Sequence, residues 1–437
     1  MASRDDALAV WNAAVQAALP EPLVANFFAG DPLVQIVHKA PRILVVGAGK
    51  AGPGMALGLE QTLADRLDRL EGLVNVPQGM TAPLRRIRLH AARPKSVNEP
   101  TEAGIAGAEE MLGLLASAGP DDAAICLLSG GGSALLPAPV AGISLADKLA
   151  VTKILHRCGA TIDEMNCIRK HLSRVKGGRL AEAFRGQLLL SLIISDVVGD
   201  PLDVIASGPT APDPTTFGEA LAVLDRYGIR DRVPTAVLEH LESGNKHDVL
   251  ETPKSIAANV HNRVIGSNRA ALNAAAKEAA ARGYQVLDLG SFIEGETRQV
   301  AIAIAGIVRS IQRDQIPLTP PACLLMGGET TVTLGQSHGR GGRNQEFVLA
   351  MLAKLGAEGM RGVTILSGGT DGEDGPTDAA GALADAGAFG RANASSISWE
   401  ECLETHDAYR VFDAAGDLIR TGLTGTNVID VRVVLVK

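Results

Sequence analysis

Short apolar runs recur along the chain, and most of them lead into glycine or serine. A strand buried on both faces of a parallel sheet reads as an uninterrupted apolar run, so these runs predict buried strands. The predicted strands are Ile43–Gly47, Leu73–Val76, Ile125–Leu128, Leu188–Ile194, Val264–Ile265, Ala322–Met326, Val363–Leu366 and Val431–Val434.

Longer stretches with helical character lie between these runs. Their alternation with short strands is typical of an α/β fold in which helices cover a largely parallel sheet. Ligands of such sheets bind outside the carboxyl ends of the strands, so we expect the functional residues to follow the predicted strands. The clearest predicted helices are Asp5–Leu19, Thr101–Ser117, Asn268–Arg282, Glu296–Gln312 and Asn344–Leu355.

A polar segment at residues 240–253 interrupts this alternation and ends in proline. It predicts a boundary between a large domain of residues 1–245 and a second segment of residues 254–437. The length of 437 residues favours two domains and allows three.

Composition narrows the function classes. Hydrophobic residues make up 46% of the chain and aromatic residues 3%, so we expect an aliphatic core. The net charge of −8, with scattered Lys and Arg, disfavours a nucleic-acid partner. The five cysteines form no CxxC pair, which indicates a reducing compartment and no zinc framework. The acidic start does not resemble a signal peptide, and no apolar run is long enough to cross a membrane. We therefore expect a cytoplasmic protein, which could form a homodimer.

The first glycine-rich loop follows the strand Ile43–Gly47. Gly47, Gly49 and Gly52 fit the GxGxxG pattern, but the acid that would hold a ribose after the next strand is missing, since the nearest acid, Glu71, precedes that strand. The pattern also fails as a P-loop. A glycine-lined turn at a helix start can bind an anion through its N–H groups, and Lys50 adds a mobile positive charge. The alternative is that these glycines only allow close packing.

Two further strand ends carry glycines. Ser129–Ser133 can form a nest of N–H donors or a simple tight turn, and Gly327-Gly328-Glu329 follows a later strand in a similar way. The residues predicted to bind a phosphate-bearing cofactor are Gly47, Gly49, Ser129, Gly130, Gly131, Gly132, Ser133, Gly327, Gly328 and Glu329.

A basic segment spans Asn166–Ala181. Arg169 and Lys176 are seven residues apart, so on a helix they would share a face. We interpret the segment as a charged, exposed helix and His171 as a hydrogen-bonding residue rather than a base.

Acidic and basic candidates follow the other strands. Asp196 ends a predicted strand and is the best candidate for a base or an Mg²⁺ ligand. Arg343, at a glycine-rich helix start, suits a phosphoryl group, although it could instead pair with Glu346.

Three aspartates, Asp371, Asp374 and Asp378, follow the strand Val363–Leu366. If they lie close together, they repel one another unless a cation or donors intervene. They predict Mg²⁺ or substrate contact, with Asp371 as the metal candidate, or else local Asx turns.

Together these segments resemble the class II glycerate 2-kinase family, whose C-terminal part is the MOFRL domain. The motifs that carry the resemblance are VVGAGKA, LLSGGGSALL, RKHLSRVKGGRLA, SDVVGDPLDVIASGPT, GRGGRNQE, SGGTDGEDGPTDAAGA and TGLTGTNVIDV, in order over nearly the whole chain. The resemblance implies a large Rossmann-like α/β/α domain, a smaller C-terminal α/β domain at about residues 320–437, and an active site between them.

The resemblance also implies transfer of the ATP γ-phosphoryl group to the 2-hydroxyl of D-glycerate, with Mg²⁺. It maps the family's important lysine to Lys50 and its arginine to Arg343, while Asp196 and Asp371 match acidic motif positions. The chain departs from the family where Arg93 and Asn98 stand in place of His and Asp.

Two other functions stay open. Members of this family are often named hydroxypyruvate reductases, which would use NAD(P)H at the Gly47–Gly52 turn. The missing acid argues against NAD, and Arg85 and Arg86 leave NADP open. A nucleotide-sensing or carboxylate-binding module without catalysis is the third hypothesis.

Overall fold

The computed structural model describes residues 2–94, 99–335, 338–394 and 397–437, which form two compact units. The N-terminal unit is Pro20–Ile265, and the C-terminal unit joins the residues up to Leu19 to Gly266–Lys437. The first helix, α1 (Ala2–Ala17), therefore belongs to the C-terminal unit.

The N-terminal unit contains one six-stranded sheet, in the order β3-β2-β1-β4-β5-β6. Neighbouring strands from β3 to β5 pair in parallel, as predicted. The strands are β1 (Ile43–Ala48), β2 (Leu70–Pro77), β3 (Ile87–Arg93), β4 (Ala123–Leu128), β5 (Leu188–Ile194) and β6 (Val260–Gly266).

Ten helices of this unit fall within the described residues, together with two short 3-10 turns, Ala64–Arg69 and Ile205–Ser207. Strands β1, β4 and β5 are buried along their whole length, since helices cover both faces of the sheet. The helices are α2 (Pro20–Gly30), α3 (Val34–Lys39), α4 (Gly52–Thr62), α5 (Glu102–Ala116), α6 (Gly132–Leu135), α7 (Leu145–Arg157), α8 (Ile162–His171), α9 (Arg179–Glu182), α10 (Phe217–Arg226) and α11 (Thr235–Asn245).

The C-terminal unit has a second six-stranded sheet, in the order β13-β12-β11-β14-β9-β7. Its strands are β7 (Gln285–Asp288), β9 (Ala322–Gly328), β11 (Val363–Gly369), β12 (Gly381–Asp385), β13 (Leu418–Ile419) and β14 (Asp430–Val436), and a separate small ladder joins β8 (Gly295–Glu296) to β10 (Thr330–Thr331). Its helices after α1 are α12 (Asn268–Ala281), α13 (Thr297–Asp314), α14 (Arg343–Gly359), α15 (Ala388–Ala394), α16 (Trp399–Glu404) and α17 (Ala408–Ala415).

This second sheet is mostly antiparallel, so the expectation of a parallel sheet does not extend to it. β14 runs antiparallel to both β9 and β11, and β12 runs antiparallel to β11. Loop 370–380 returns the chain directly to a neighbouring strand, whereas a parallel pair needs a long crossover. Because β14 lies reversed between β9 and β11, the carboxyl ends of β9 and β11 meet the start of β14 at one edge.

The division of the chain differs from the predicted 1–245 and 254–437 in two places. First, α1 packs on α12, and Trp11 Nε1 donates to Gly368 O at 3.2 Å, which ties α1 to the C-terminal sheet. Second, the polar stretch at 240–253 lies inside the N-terminal unit, because β6 follows it and completes that unit's sheet.

The five predicted helices are confirmed within two or three residues at each end, apart from the last turn of α14. Two begin at residues with capping side chains, since Thr101 accepts from Gly104 N and Ser267 from Ala270 N. Over the described ranges, no helix combines the length and the apolar character that crossing a membrane requires.

Candidate active site

The first glycine-rich loop connects β1 to α4, but its N–H groups are not available to an anion. Each of the four amides from residue 49 to residue 52 donates to a protein acceptor. The pairs are Gly49 N to Asn75 O (3.1 Å), Lys50 N to Gly130 O (2.8 Å), Ala51 N to Ser129 Oγ (3.0 Å) and Gly52 N to Gly49 O (3.2 Å). The prediction that this turn exposes N–H groups to an anion is therefore wrong.

Packing explains the glycine at the end of β1. A Cβ on Gly47 would lie 2.1 Å from Leu127 O in the neighbouring strand β4, so no larger residue fits. What the loop offers to a ligand is the side chain of Lys50.

Lys50 lies beside the second glycine-rich loop. A Cβ built on Gly131 would be 3.6 Å from Lys50 Cγ and 3.7 Å from Arg93 Nη2, so both side chains flank this glycine. Arg93, which departs from the family pattern, thus stands at the end of β3 next to Lys50. Asn98, the other departure, lies outside the described residues.

The second loop connects β4 to α6. Gly131 has φ +77°, a conformation that favours glycine, and it precedes the first turn of α6. Within the described chain, the amides of Gly130 and Gly131 donate to no protein acceptor, in contrast to those of the first loop. This loop, rather than the first, keeps backbone donors for a ligand.

A cavity of about 470 Å³ opens beside this loop, entirely within the N-terminal unit. Its wall combines residues from α6, α7, α8 and the segment after β5. The polar and charged residues that line it include Ser133, Lys148, Asn166, Arg169, Lys176, Asp196 and Ser207.

Arg169 and Lys176 converge on the side chain of Ser133. Arg169 Nη2 donates to Ser133 Oγ, and Lys176 Nζ donates to Ser133 Oγ and O, each at 2.8 Å. Ser133 Oγ also bonds Ser207 Oγ at 2.8 Å, and Ser207 Oγ donates to Asn166 Oδ1 at 3.1 Å. These five side chains of the cavity wall therefore form one connected hydrogen-bond network.

The interpretation of residues 166–181 as an exposed helix is wrong. Helix α8 ends at His171, and Lys176 lies beyond it with 2% of its surface exposed. Lys170 is buried too, and it pairs with Asp203 and Asp213 at 3.0 and 3.2 Å. Apart from the exposed Arg174, the charges of this segment are buried or half-buried, because the chain turns after α8 and runs beneath the loop at 205–208.

His171 is a hydrogen-bonding residue, as predicted. Its Nδ1 bonds Cys167 O at 2.7 Å and its Nε2 bonds Glu251 at 2.8 Å, and the ring is fully buried.

Lys148, on α7, adds a third buried cation to the cavity. Burial first, and then the charges of Arg169 and Arg179, lower its pKa to about 7. Burial, Arg169 and Lys148 likewise lower the pKa of Lys176 well below its ordinary value. Sequence reasoning missed Lys148, because a lysine on an amphipathic helix normally faces solvent.

The loop after β5 is strained where it meets the cavity. Ala206 has φ +52° and Ser207 has φ +62°, both in the left-handed region that non-glycine residues avoid. Each such residue costs about 1–2 kcal/mol. In this strained conformation, Ser207 Oγ is hydrogen-bonded to Ser133 Oγ, and Ala206 packs against Gly132.

Asp196 follows β5 and lines the same cavity, half-buried. The predicted position at the carboxyl end of a strand is confirmed, and Asp196 lines the same cavity as Gly131, Gly132 and Ser133.

In the C-terminal unit, Arg343 is the first residue of α14 and is held by two carboxylates. Its Nε and Nη2 donate to Asp430 at 2.7 and 3.1 Å, and its Nη1 donates to Glu329 at 2.7 Å. Burial opposes the charged form, but Asp430 and Glu329 outweigh it and raise the pKa of Arg343. Arg343 does not pair with Glu346, which instead binds Arg298.

Asp430 is the centre of this arrangement, and sequence reasoning did not select it. Besides Arg343 it accepts from Asn344 Nδ2 at 2.9 Å and from Arg432 Nη2 at 3.1 Å, and it is fully buried. A signal existed, because Arg432 is a lone cation in an apolar strand and so requires a buried acid nearby.

The three aspartates after β11 do not crowd together. Asp371 Oδ1 accepts from Glu373 N at 3.1 Å, which is the alternative Asx-type contact. Asp374 is buried and caps α14, accepting from the amides of Asn344 and Gln345, each at 2.9 Å. Asp378 lies at the surface, where it binds Tyr409 and Arg420.

Asp374 has an unusual pKa for a helix-capping acid. Burial raises its pKa to about 6, and the nearby Asp430 acts in the same direction, against the two amide donors. Among the described side chains, no group of three or more His, Cys, Asp and Glu could hold a metal ion.

Comparison with known proteins assigns both parts of the chain. Residues 6–242 match the family model of DUF4147, a domain of unknown function, and residues 322–430 match the model of the MOFRL family. A protein of Agrobacterium vitis that is provisionally named a hydroxypyruvate reductase is 42% identical over 93% of this chain and 91% of its own. A glycerate 2-kinase of Pyrococcus horikoshii is 41% identical over 90% of this chain and 87% of its own.

The fold has a solved counterpart as well. The crystal structure of a glycerate kinase from Thermotoga maritima superposes with a TM-score of 0.88 at 33% identity and covers the whole of both chains.

Proposed function

Because this chain belongs to the class II glycerate 2-kinase family, we propose that it transfers the ATP γ-phosphoryl group to the 2-hydroxyl of D-glycerate. The products are 2-phosphoglycerate and ADP. The observation that carries the proposal is the cavity beside Gly131, where basic side chains, open amides and a carboxylate share one wall.

We assign the N-terminal unit's phosphate contacts to Lys50 and to the loop Ser129–Ser133. Phosphoryl transfer needs donors fixed around the equatorial oxygens, and the protein contributes mainly position and charge. The amides of Gly130 and Gly131 are fixed donors, and Lys50 beside them is a mobile one. For Gly47 and Gly49 we propose an indirect role, which is to allow the close packing that sets the Lys50 backbone.

Asp196 is the proposed base for the 2-hydroxyl. It follows β5 into the cavity, so a hydroxyl bound there can reach a carboxylate that orients it and takes its proton.

Arg343 is the proposed second donor to the phosphoryl group. Its side chain is one-third exposed while Asp430 and Glu329 fix its guanidinium, so the group is oriented before a ligand arrives. Gly327 and Gly328 end β9 just before Glu329, and we propose that they shape this edge of the sheet.

Mg²⁺ would neutralise charge on the phosphates. A carboxylate can hold such an ion directly or through water, and Asp196 lines the cavity of the N-terminal unit. Asp196 and, from the C-terminal unit, Asp371 are each a proposed protein ligand.

The reductase alternative finds less support. β2 lies next to β1, where a dinucleotide site needs an acid at the end of the strand, yet β2 ends at Pro77 followed by Gln78. Arg86 precedes β3 and its side chain bonds Leu70 O at the start of β2. That position is about 20 Å along the strand from Pro77, too far for a 2′-phosphate there.

Product identification tests the proposal directly. The purified protein is incubated with D-glycerate, ATP and Mg²⁺, and the product is identified by ³¹P NMR or by coupling to enolase. Formation of 2-phosphoglycerate is expected. Oxidation of NAD(P)H by hydroxypyruvate, with no phosphorylated product, would overturn it in favour of the reductase.

A further inference from the structure

Three basic side chains of the cavity have only neutral partners. Arg169 and Lys176 donate to Ser133, and Lys148 Nζ donates to Leu172 O at 3.0 Å. In the part of the chain that the structure describes, none of the three forms an ion pair with a carboxylate.

Two other lysines nearby, Lys170 and Lys153, are each paired with a carboxylate. Lys170 is as buried as Lys176 and is matched by two aspartates, Asp203 and Asp213. Lys153, on the cavity rim, pairs with Glu99 at 3.3 Å. The Lys148–Arg169–Lys176 cluster, in contrast, has no carboxylate at ion-pair distance within the described residues, so its positive charge is costly in this buried to half-buried wall unless an anion offsets it.

We propose that the Lys148–Arg169–Lys176 cluster binds the carboxylate of the hydroxy-acid acceptor. The inference rests on the proposed function for the identity of that acceptor. The chemistry it recognises is that of a small oxyanion, held by charge-assisted hydrogen bonds from Arg169 and Lys176.

The position of Asp196 favours the acceptor over the nucleotide phosphates. Asp196 lines the same cavity as the cluster, so a molecule whose carboxylate binds the cluster can present its hydroxyl to Asp196. A nucleotide phosphate bound there would offer the proposed base no such hydroxyl. Ser133 then contacts the acceptor rather than a phosphate, because its hydroxyl is bound by both cations, and the phosphate contacts proposed for this loop are narrowed to Ser129–Gly132.

Binding should also be linked to proton uptake. Burial and mutual repulsion lower the pKa of Lys148 and Lys176, and an anion beside them would raise both again. The charged groups that act on these lysines are Arg169 and Arg179, with Asp196 on the same wall. The other ionisable residues that line the cavity are Glu99, Lys153 and His156.

Calorimetric titration of the full chain with D-glycerate, without nucleotide, tests the subsite apart from catalysis. We expect Lys176→Met and Arg169→Met each to weaken binding about 10–100-fold, the value of one charge-assisted hydrogen bond. Arg174→Met is the matched control, because Arg174 lies on the same segment but is exposed and paired with Glu109. Glycerol, which lacks the carboxylate, should not bind.

Three further measurements accompany these titrations. ATP affinity should be unchanged in the folded variants, and wild-type binding at pH 7 should take up protons, measured by repeating the titration in two buffers of different ionisation enthalpy. Circular dichroism checks folding, and methionine should be tolerated because it removes a buried charge. If one variant does not fold, D-glycerate binding by the other variant tests the proposal.

The proposal fails if D-glycerate binds both folded variants as it binds the wild type. It also fails if the variants lose affinity for ATP or inorganic phosphate but not for D-glycerate, or if the wild type binds no small carboxylate. If D-glycerate binds through Lys176 but no 2-phosphoglycerate forms, the subsite stands and the kinase reaction is wrong.

Discussion

Replacing Asp430 with asparagine removes the charge that organises the edge of the C-terminal sheet. Its carboxylate accepts four hydrogen bonds, two from Arg343 and one each from Asn344 and Arg432. Asparagine keeps the shape but turns one acceptor into a donor that faces a guanidinium.

The magnitude follows from burial. Arg432 is fully buried, and within the described residues Asp430 is the one carboxylate at ion-pair distance from it. Removing one member of a buried ion pair costs about 3–5 kcal/mol. For a unit of this size, 1 kcal/mol shifts Tm by about 2–4 °C, so Asp430→Asn should lower Tm by about 6–20 °C.

Glu329→Gln is the matched control, since it removes the other carboxylate from the same Arg343. Glu329 is 43% exposed, and an exposed ion pair contributes about 0–1 kcal/mol. Its Tm should therefore fall by at most about 4 °C.

Tryptophan fluorescence during thermal unfolding makes the comparison specific. Both tryptophans of the chain, Trp11 and Trp399, belong to the C-terminal unit, so their signal reports that unit's unfolding. Equal decreases in Tm for Asp430→Asn and Glu329→Gln would refute the reasoning, because burial of the carboxylate would then make no difference to its contribution to stability.

Three other predictions concern the proposed reaction and its pH dependence. Lys50→Ala should lower kcat by about 10²–10³-fold, as expected for a lost transition-state donor, and wild-type turnover in the folded variant would exclude that role. Asp196→Asn should lower kcat more than it raises the KM for ATP, and a change in KM alone would mean that Asp196 is not the base. The pKa of Asp374 is raised from 3.8 to about 6. The stability that its protonated carboxyl contributes to the folded state is therefore fully present below pH 3.8 and is lost as pH rises through 6. Wild-type stability relative to Asp374→Asn, measured by urea unfolding from pH 4 to 7, should thus fall by about 2 kcal/mol, and a flat difference would contradict this.

Much of the fold could be predicted because its signals are local. An apolar run such as Leu188–Ile194, in which Ser191 is the single polar residue, predicts a buried strand of a parallel sheet, and Asp196 follows it closely in the chain. The second sheet could not be predicted in the same way. Val363–Leu366 reads alike in a parallel and an antiparallel sheet, and pairing depends on where the chain returns.

The candidate site shows the same division. The glycines and charges around Lys50 were visible as a motif, but whether an amide is open to a ligand depends on its partner. Lys50 N donates a hydrogen bond to Gly130 O, 80 residues further along the chain, and sequence spacing does not reveal that contact.

By itself, the sequence determined the strand and helix pattern, the strand ends that carry chemistry and the family motifs, because each rests on residues close together in the chain. The tertiary structure decided which charges are buried, which are paired and which share a wall. Lys170 and Lys176 stand six residues apart in one basic segment, yet one meets two aspartates and the other meets only neutral oxygens. That difference comes from segments more than 25 residues away, and it is what distinguishes an internal ion pair from a site for an anion.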